Sequence, residues 1–316
     1  MKIYLLFITL TLSSFVFSKT TIYPNYISNL DESKPFAVIG DTQPTLLIEK
    51  LIGRESNNQE TKKLLKFLAQ KDINLLVHLG DAVNNGSKKS AWRQFDNWMS
   101  PISKKNTPVM LALGNHDYWG SNKKALKNIT KRFEQIKVSS WYSRVYQNIG
   151  LIWLNTNKSE LEDSQWIDQK NWFESKLNNY ESDDSIKAII VFGHHPPFSN
   201  STVISDTEEI KQTFLPAFFK SKKTKAMISG HAHGYEHFVK KNKHFIISAG
   251  GGGPRPKNYL ANNEQRHQDV YRKGTSKQPF NYLIVTPGQD SIDISSFGFF
   301  KNDKNIFLME KINIDL

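Results

Sequence analysis

Five apolar runs in this 316-residue chain stop at a glycine, and each glycine is followed at once by a metal-ligand side chain. Phe36–Ile39 ends at Gly40, before Asp41 and Gln43. Leu75–Leu79 ends at Gly80, before Asp81. Pro108–Leu113 ends at Gly114, before Asn115, His116 and Asp117. Ile189–Phe192 ends at Gly193, before His194 and His195. Ala226–Ser229 ends at Gly230, before His231 and His233. Short uninterrupted apolar runs suit strands buried on both faces. Loops at the ends of such strands are where a rigid sheet presents chemistry. One run of this kind means little. Five imply strands whose ends converge on one polar centre.

Hydrophobic residues make up 38% of the chain and charged residues 23%, which suits a soluble globular protein able to bury a large core. The net charge is +12. Its Lys-rich pieces, such as Lys123-Lys124 and Lys222-Lys223, are short and lack interleaved aromatics. No specific nucleic-acid partner is expected, and the basic surface is read as solvated, with steering of anionic substrates as a second use. Cysteine is absent. That excludes disulfides, thiolate ligands, a cysteine nucleophile and lipobox lipidation.

Residues 1–18 contain Lys2, an apolar run from Ile3 to Leu12, and small residues before Lys19. This is the pattern of a signal peptide, leaving 19–316 as one domain exported to a periplasm or the medium. An uncleaved N-terminal anchor is the alternative, and no later stretch is expected to cross a membrane.

Between the runs, helical periodicity is expected over Gln59–Gln70, Ser90–Met99, Gln165–Leu177 and Glu208–Phe219. Trp92, Phe95 and Trp98 are expected in the core. Trp141–Tyr146 and Leu151–Asn155 predict a hairpin turning at Asn148-Ile149-Gly150. Phe245–Ser248, Tyr282–Val285 and Ile292–Ile294 continue the strand pattern, and Lys257–Lys277 is expected to be a long loop. The first half reads β-α-β-α-β, an α/β arrangement.

Carboxylates and imidazoles with amides suit Mn²⁺, Fe, Zn²⁺ or Co²⁺. Asp41, Gln43, Asp81, Asn115, His194, His231 and His233 are too many for one tetrahedral site and about right for two ions sharing a bridge. Asp81, central in strand order, is expected to bridge. Two such ions hold a hydroxide and clamp both oxygens of an in-line phosphoryl displacement. His116 follows Asn115 directly and is placed to protonate a leaving oxygen or to stabilise equatorial charge on phosphorus, with Asp117 able to orient it. No serine nucleophile elbow, phosphate-cradling loop or dinucleotide fingerprint appears. Gly250–Gly253 lacks a following helix, so it is read as close backbone packing beside the site.

The ordered motifs Asp41-Thr42-Gln43, Gly80-Asp81, Gly114-Asn115-His116-Asp117, Gly193-His194-His195-Pro196 and Gly230-His231-Ala232-His233 resemble the five signatures of the calcineurin-like metallophosphoesterases. Gly193–Ser199 and Gly230–His237 look most like the purple acid phosphatase branch. The resemblance implies a four-layer α/β/β/α sandwich of two mixed sheets flanked by helices, with two divalent or trivalent transition-metal ions at the strand ends. It implies Asp41 and His233 on the first ion, Asp81 bridging, Asn115, His194 and His231 on the second, and His116 as the acid. There are two departures. Gln43 stands where that family has a histidine or no ligand, and Asn84 stands where the purple enzymes have a tyrosine ligand.

Asn84, His195, Tyr235 and His237 are expected to contact substrate or support the ligands. His78 is expected in the core, and His244 and His267 on the surface. Arg255 and Arg266 are read as phosphate-binding or plain surface. The function expected is a phosphoesterase acting on a phosphorylated small molecule, an acid-phosphatase-like monoesterase. The alternatives are a phosphodiesterase or nucleotide pyrophosphohydrolase on the same site, and a catalytically weak binding protein that keeps the fold.

Overall fold

The structure, a computed structural model, describes residues 20–24, 34–255, 264–271 and 278–316. The expected signal peptide and parts of the Lys257–Lys277 loop lie outside the described residues. The chain builds two six-stranded mixed sheets. The first contains β1 (Phe36–Ile39), β2 (Leu75–His78) and β3 (Val109–Leu111). Parallel β1, β2 and β3 are joined at the β1 edge by antiparallel β10 (Phe280–Pro287), then β11 (Ser291–Phe299) and β12 (Phe307–Asp315). The second runs in the order β4 (Tyr142–Tyr146), β5 (Ile149–Trp153), β6 (Ala188–Gly193), β7 (Thr224–Ser229), β9 (Lys243–Ser248) and β8 (Tyr235–Lys240).

The apolar runs are continuous because both faces of these strands are covered. Along β6, Ile190 and Phe192 join the core between the sheets, while Ile189 and Val191 join a second core outside. That is the period-two alternation of a strand. The outer core is closed by α8 (Asp163–Ser182), α9 (Glu208–Thr213) and α10 (Leu215–Lys220), through Phe173, Phe214 and Phe218. On the first sheet the matching cover includes α2 (Asn58–Ala69) and α3 (Lys89–Trp98), with Leu64, Leu68, Trp92 and Phe95 buried. The four-layer α/β/β/α sandwich is therefore present, and Trp92, Phe95 and Trp98 are core residues.

Four local expectations need correction. The predicted helix Glu208–Phe219 is two helices, α9 and α10, parted at Phe214; Pro216 has no N–H to bond back to Gln212 and cannot lie inside a continuous helix. The β4–β5 turn is at Gln147-Asn148, with Gln147 at φ 54, and Ile149 and Gly150 already pair as strand. Strand β8 was not foreseen. It is held by a two-residue turn, Lys241-Asn242, with both φ values positive, a type I′ signature that this residue pair signals weakly. His244 and His267 are not free surface groups. His244 Nδ1 lies 2.9 Å from His237 Nε2, and His267 Nε2 lies 2.9 Å from both oxygens of Asp206.

His78, at the end of β2, is fully buried as expected, with Nε2 3.0 Å from Thr42 Oγ1. Burial pushes it down to about 3 from an ordinary 6.5. The folded chain thus binds fewer protons here than the unfolded chain between those two values. The associated stability is complete above the unfolded value and is lost as pH falls toward the folded one. Urea unfolding of a His78→Gln variant, which does not titrate, is expected to show a shallower pH slope in that window. The difference is at most about 1.4 kcal/mol per pH unit, one proton's worth.

Candidate metal centre

Strands β1, β2, β3, β6 and β7 end on the same side, and the residues after them meet there. Asn115 opens α5 (Asn115–Tyr118) just beyond β3. Its Oδ1 lies 3.1 Å from His194 Nε2, and His231 Nδ1 lies 3.1 Å from the same nitrogen. His194 Nδ1 donates to the Leu79 carbonyl at 2.9 Å, so in the neutral ring Nε2 carries a lone pair. With its oxygen turned to that nitrogen, the Asn115 amide presents a second lone pair there, an arrangement that a cation between the two stabilises. The donor set therefore fits a metal ion.

The second half of the site is built the same way. His233 Nδ1 donates to the Pro254 carbonyl at 2.8 Å, which leaves Nε2 facing Asp41 Oδ1 at 3.5 Å. Asp81 lies between the halves. Its Oδ1 accepts the His116 N–H at 2.9 Å and is 3.5 Å from His194 Nε2, while its Oδ2 accepts from Gln43 Nε2 at 2.9 Å. One carboxylate oxygen thus faces each half, which fits a bridging ligand. Ligand atoms of Asp41, Asp81 and His194, and separately of His194, His195 and His231, fall within 4.8 Å of one another.

The backbone is bent to bring these groups together. Asp41, Asp81, His231 and His233 have φ of 59, 51, 73 and 50°. Each costs on the order of 1–3 kcal/mol for a side chain with a Cβ, and such residues gather at functional sites. The electrostatics point the same way. Burial pushes Asp41 well above the usual carboxylate range, and the neighbouring Asp81 charge adds to it. Burial pushes His194 and His231 well below the usual imidazole range, helped by the adjacent His195, and holds His233 and His195 to about 4. Neutral imidazoles are what a metal binds, and a bound cation removes the penalty on the carboxylates.

Residues 34–235 match the model of the calcineurin-like phosphoesterases, and all five motifs fall inside that range. The chain belongs to this family. As a calcineurin-like phosphoesterase it is a phosphoric ester hydrolase of a dimetal-dependent fold. Two solved structures share its architecture. GAP50, the anchor in the inner membrane complex of Plasmodium, is 16% identical with a TM-score of 0.65, over 90% of this chain and 89% of that one. A dimetal phosphatase from Danio rerio is 13% identical with a TM-score of 0.58, over 90% and 99%. No curated protein matches the sequence.

Within this phosphoesterase, the structure brings six of the expected ligands together and treats Gln43 separately. Its Nε2 donates to Asp81 and lies 3.2 Å from His233 Nε2, while its buried Oε1 has no partner. Amide oxygen and nitrogen are interchangeable by rotation, and the exchange sets an oxygen among the ligand atoms.

Asp117 does not orient His116. Its carboxylate accepts the N–H groups of Ala82, Val83 and Gly114, at 3.0, 3.3 and 2.9 Å, so it ties the Asp81 loop to the Asn115 loop. Burial and the Asp81 charge push Asp117 up to about 8. His116 is positioned instead by the Asn84 carbonyl, 3.3 Å from Nδ1, and by the Trp119 ring at 3.8 Å. That gives Asn84 a backbone role. His195 lies beside the ligands, its ring 4.5 Å from His231 and its Nδ1 2.9 Å from Thr156 Oγ1.

Tyr235 and His237 do not line the cavity at the strand ends. Both are buried against Glu310 of β12, at 2.7 and 2.9 Å, because β8 turns them away from the strand ends. Arg255 is paired with Glu55, and Arg266 donates to the Ser199, Ser201 and Ile204 carbonyls; neither is available for phosphate.

Two residues were missed. Thr156 Oγ1 accepts the N–H groups of His194 and His195 at 3.1 and 2.9 Å, but its strand ends without a glycine and gives no signal. Arg54, with Glu49, lines the cavity beside His116, His231 and His233, although nothing around it in sequence resembles a site.

Gly114 shows how little room the centre leaves. A Cβ there would meet Asp81 N and Oδ1 at 2.2 Å. Gly114→Ala is expected to displace the Asp81 carboxylate and lower kcat/KM by about 10²-fold, with less metal bound per chain on elemental analysis and an unchanged far-ultraviolet circular dichroism spectrum.

Proposed function

We propose that this phosphoesterase is an exported monoesterase of the acid-phosphatase type. Asp41 and His233 would hold one ion, Asn115, His194 and His231 the other, with Asp81 shared. The observation that carries this reading is the meeting of Asn115 Oδ1 and His231 Nδ1 at 3.1 Å from His194 Nε2. Bound ions would supply positive charge beside the phosphoryl oxygens and lower the pKa of water.

The chain's own residues supply the rest. Arg54 lines the cavity and adds the further positive charge that a dianionic monoester asks for and a diester does not. His116 lines the same cavity. With Nδ1 turned to the Asn84 carbonyl, the doubly protonated ring gives its Nε2 proton to the departing oxygen and is left neutral. Trp119 holds the ring in that pose.

The test is elemental analysis of the purified protein together with hydrolysis of an aryl phosphate and an aryl phosphodiester. About two metals per chain and preference for the monoester is the expected result. Preference for the diester would replace the reading with a phosphodiesterase. No turnover after Mn²⁺, Fe, Zn²⁺ or Co²⁺ is supplied would leave a binding protein. Export is checked by N-terminal sequencing of the mature chain, expected to begin near Lys19.

A further inference from the structure

The short helix α1 (Leu47–Leu51) buries none of its residues. Leu47, Ile48, Leu51 and Ile52 are 73, 62, 75 and 71% exposed. At about 100° per residue these four share one face of roughly 140°, and Glu49 borders it on the Ile52 side. Glu49 and Arg54, from the same stretch, line the cavity of the metal centre. Val203, 48% exposed, also lines the cavity, and Trp119, 42% exposed, stands beside His116. Exposed apolar surface gathered at one mouth marks a binding surface rather than scatter.

We infer that Leu46–Arg54 is a recognition element for phosphate esters of apolar alcohols: Arg54 takes the phosphoryl charge and the aliphatic face of α1 takes the hydrocarbon. This rests on the phosphoesterase reading above and names its substrate class. Three observations select this occupant. The cavity is about 160 Å³, below the roughly 300–1,000 Å³ that enclose a drug-sized ligand, so it takes the phosphoryl group and leaves the alcohol on the rim. Glu49, which lines the cavity, belongs to the same short helix as the aliphatic face. The Glu49 carboxylate, which accepts the Leu46 N–H at 2.6 Å, sets a negative charge between face and cavity; it disfavours a further anionic group, as in a nucleotide, and tolerates an uncharged chain. Among the described residues the Arg54 guanidinium has no partner, unlike those of Arg132, Arg255 and Arg266.

The test compares methylphosphonate with octylphosphonate, bound to the metal-loaded full-length protein below micellar concentrations and followed by calorimetry. It also compares kcat/KM for methyl, butyl and octyl phosphate. Each methylene that leaves water strengthens binding about fourfold, so octylphosphonate is expected to bind at least ~30-fold more tightly than methylphosphonate. In a Leu47→Ser, Leu51→Ser, Ile52→Ser variant that ratio falls below about threefold. These side chains are exposed, so the variant is expected to keep the wild-type melting temperature. Arg54→Gln weakens both phosphonates and preserves their ratio.

Equal affinity for the two phosphonates overturns the inference. So does sedimentation with phosphatidylglycerol vesicles, or concentration-dependent dimerisation, that the triple variant abolishes without any chain-length preference. Turnover of methyl phosphate with no chain-length preference sinks this inference alone. Chain-length-dependent phosphonate binding with no turnover of any ester sinks the hydrolase reading alone.

Discussion

Asp81→Asn is expected to lower kcat/KM for a phosphate monoester by at least about 10³-fold, or ~4 kcal/mol of transition-state stabilisation. The substitution keeps the side chain's shape, and its remaining oxygen still accepts the His116 N–H. What disappears is the charge shared between the two halves of the site, one oxygen toward His194 and the other toward Gln43. Metal content is expected to fall from about two per chain to one or fewer, while the melting temperature measured without metal rises or stays level, because one buried charge is gone. A variant that keeps both metals and more than a tenth of the activity would show that Asp81 does not bridge.

Asp96→Ala is the substitution expected to cost most stability, about 3–5 kcal/mol in urea unfolding. Asp96 and Arg132 form an ion pair of 2.7 Å with side chains 6 and 5% exposed. The carboxylate also accepts from Tyr23, and the guanidinium lies over Trp92. Removing the carboxylate leaves a charged guanidinium in an apolar surround. The pair as such contributes little, since desolvation offsets most of its attraction. Asp96→Leu combined with Arg132→Met is therefore expected to recover most of the loss. The packing it anchors backs the site: Trp92 Nε1 and Asn128 Nδ2 both donate to the Gly86 carbonyl, and the Gly86 N–H donates to the His116 carbonyl. An Asp96→Ala protein as stable as wild type would refute this account.

The residues that were legible in sequence are those whose role follows from their place on the chain. A residue that directly follows a buried strand must emerge at the sheet's end, so the meeting of Asp41, Asp81, Asn115, His194, His231 and His233 was readable. Close packing at Gly250–Gly253 was readable for a similar reason, because a run of glycines admits backbone to backbone. A Cβ on Gly251 would meet the Gly40 carbonyl oxygen at 2.1 Å. Residues whose role is set by what approaches them from elsewhere were not legible. Asp117 looked like a partner for its neighbour His116, but α5 turns its carboxylate back onto three backbone N–H groups. Tyr235 and His237 followed a site motif closely, yet lie on a strand that leads away from it. Arg255 and Arg266 offered free guanidinia on paper and are consumed by Glu55 and by loop carbonyls.

The sequence by itself determined the layered α/β fold, the strand ends and the six ligand-type residues that meet there, because period, glycine position and side-chain chemistry are local properties of the chain. The tertiary structure alone decided which nitrogen of His194 and of His233 faces the centre, since that depends on the Leu79 and Pro254 carbonyls, 115 and 21 residues away in sequence. It also decided that Thr156 supports the histidine pair and that Arg54, next to an exposed aliphatic helix, stands at the mouth. These are long-range contacts, and the partner of a side chain across two sheets leaves no trace in the residues beside it.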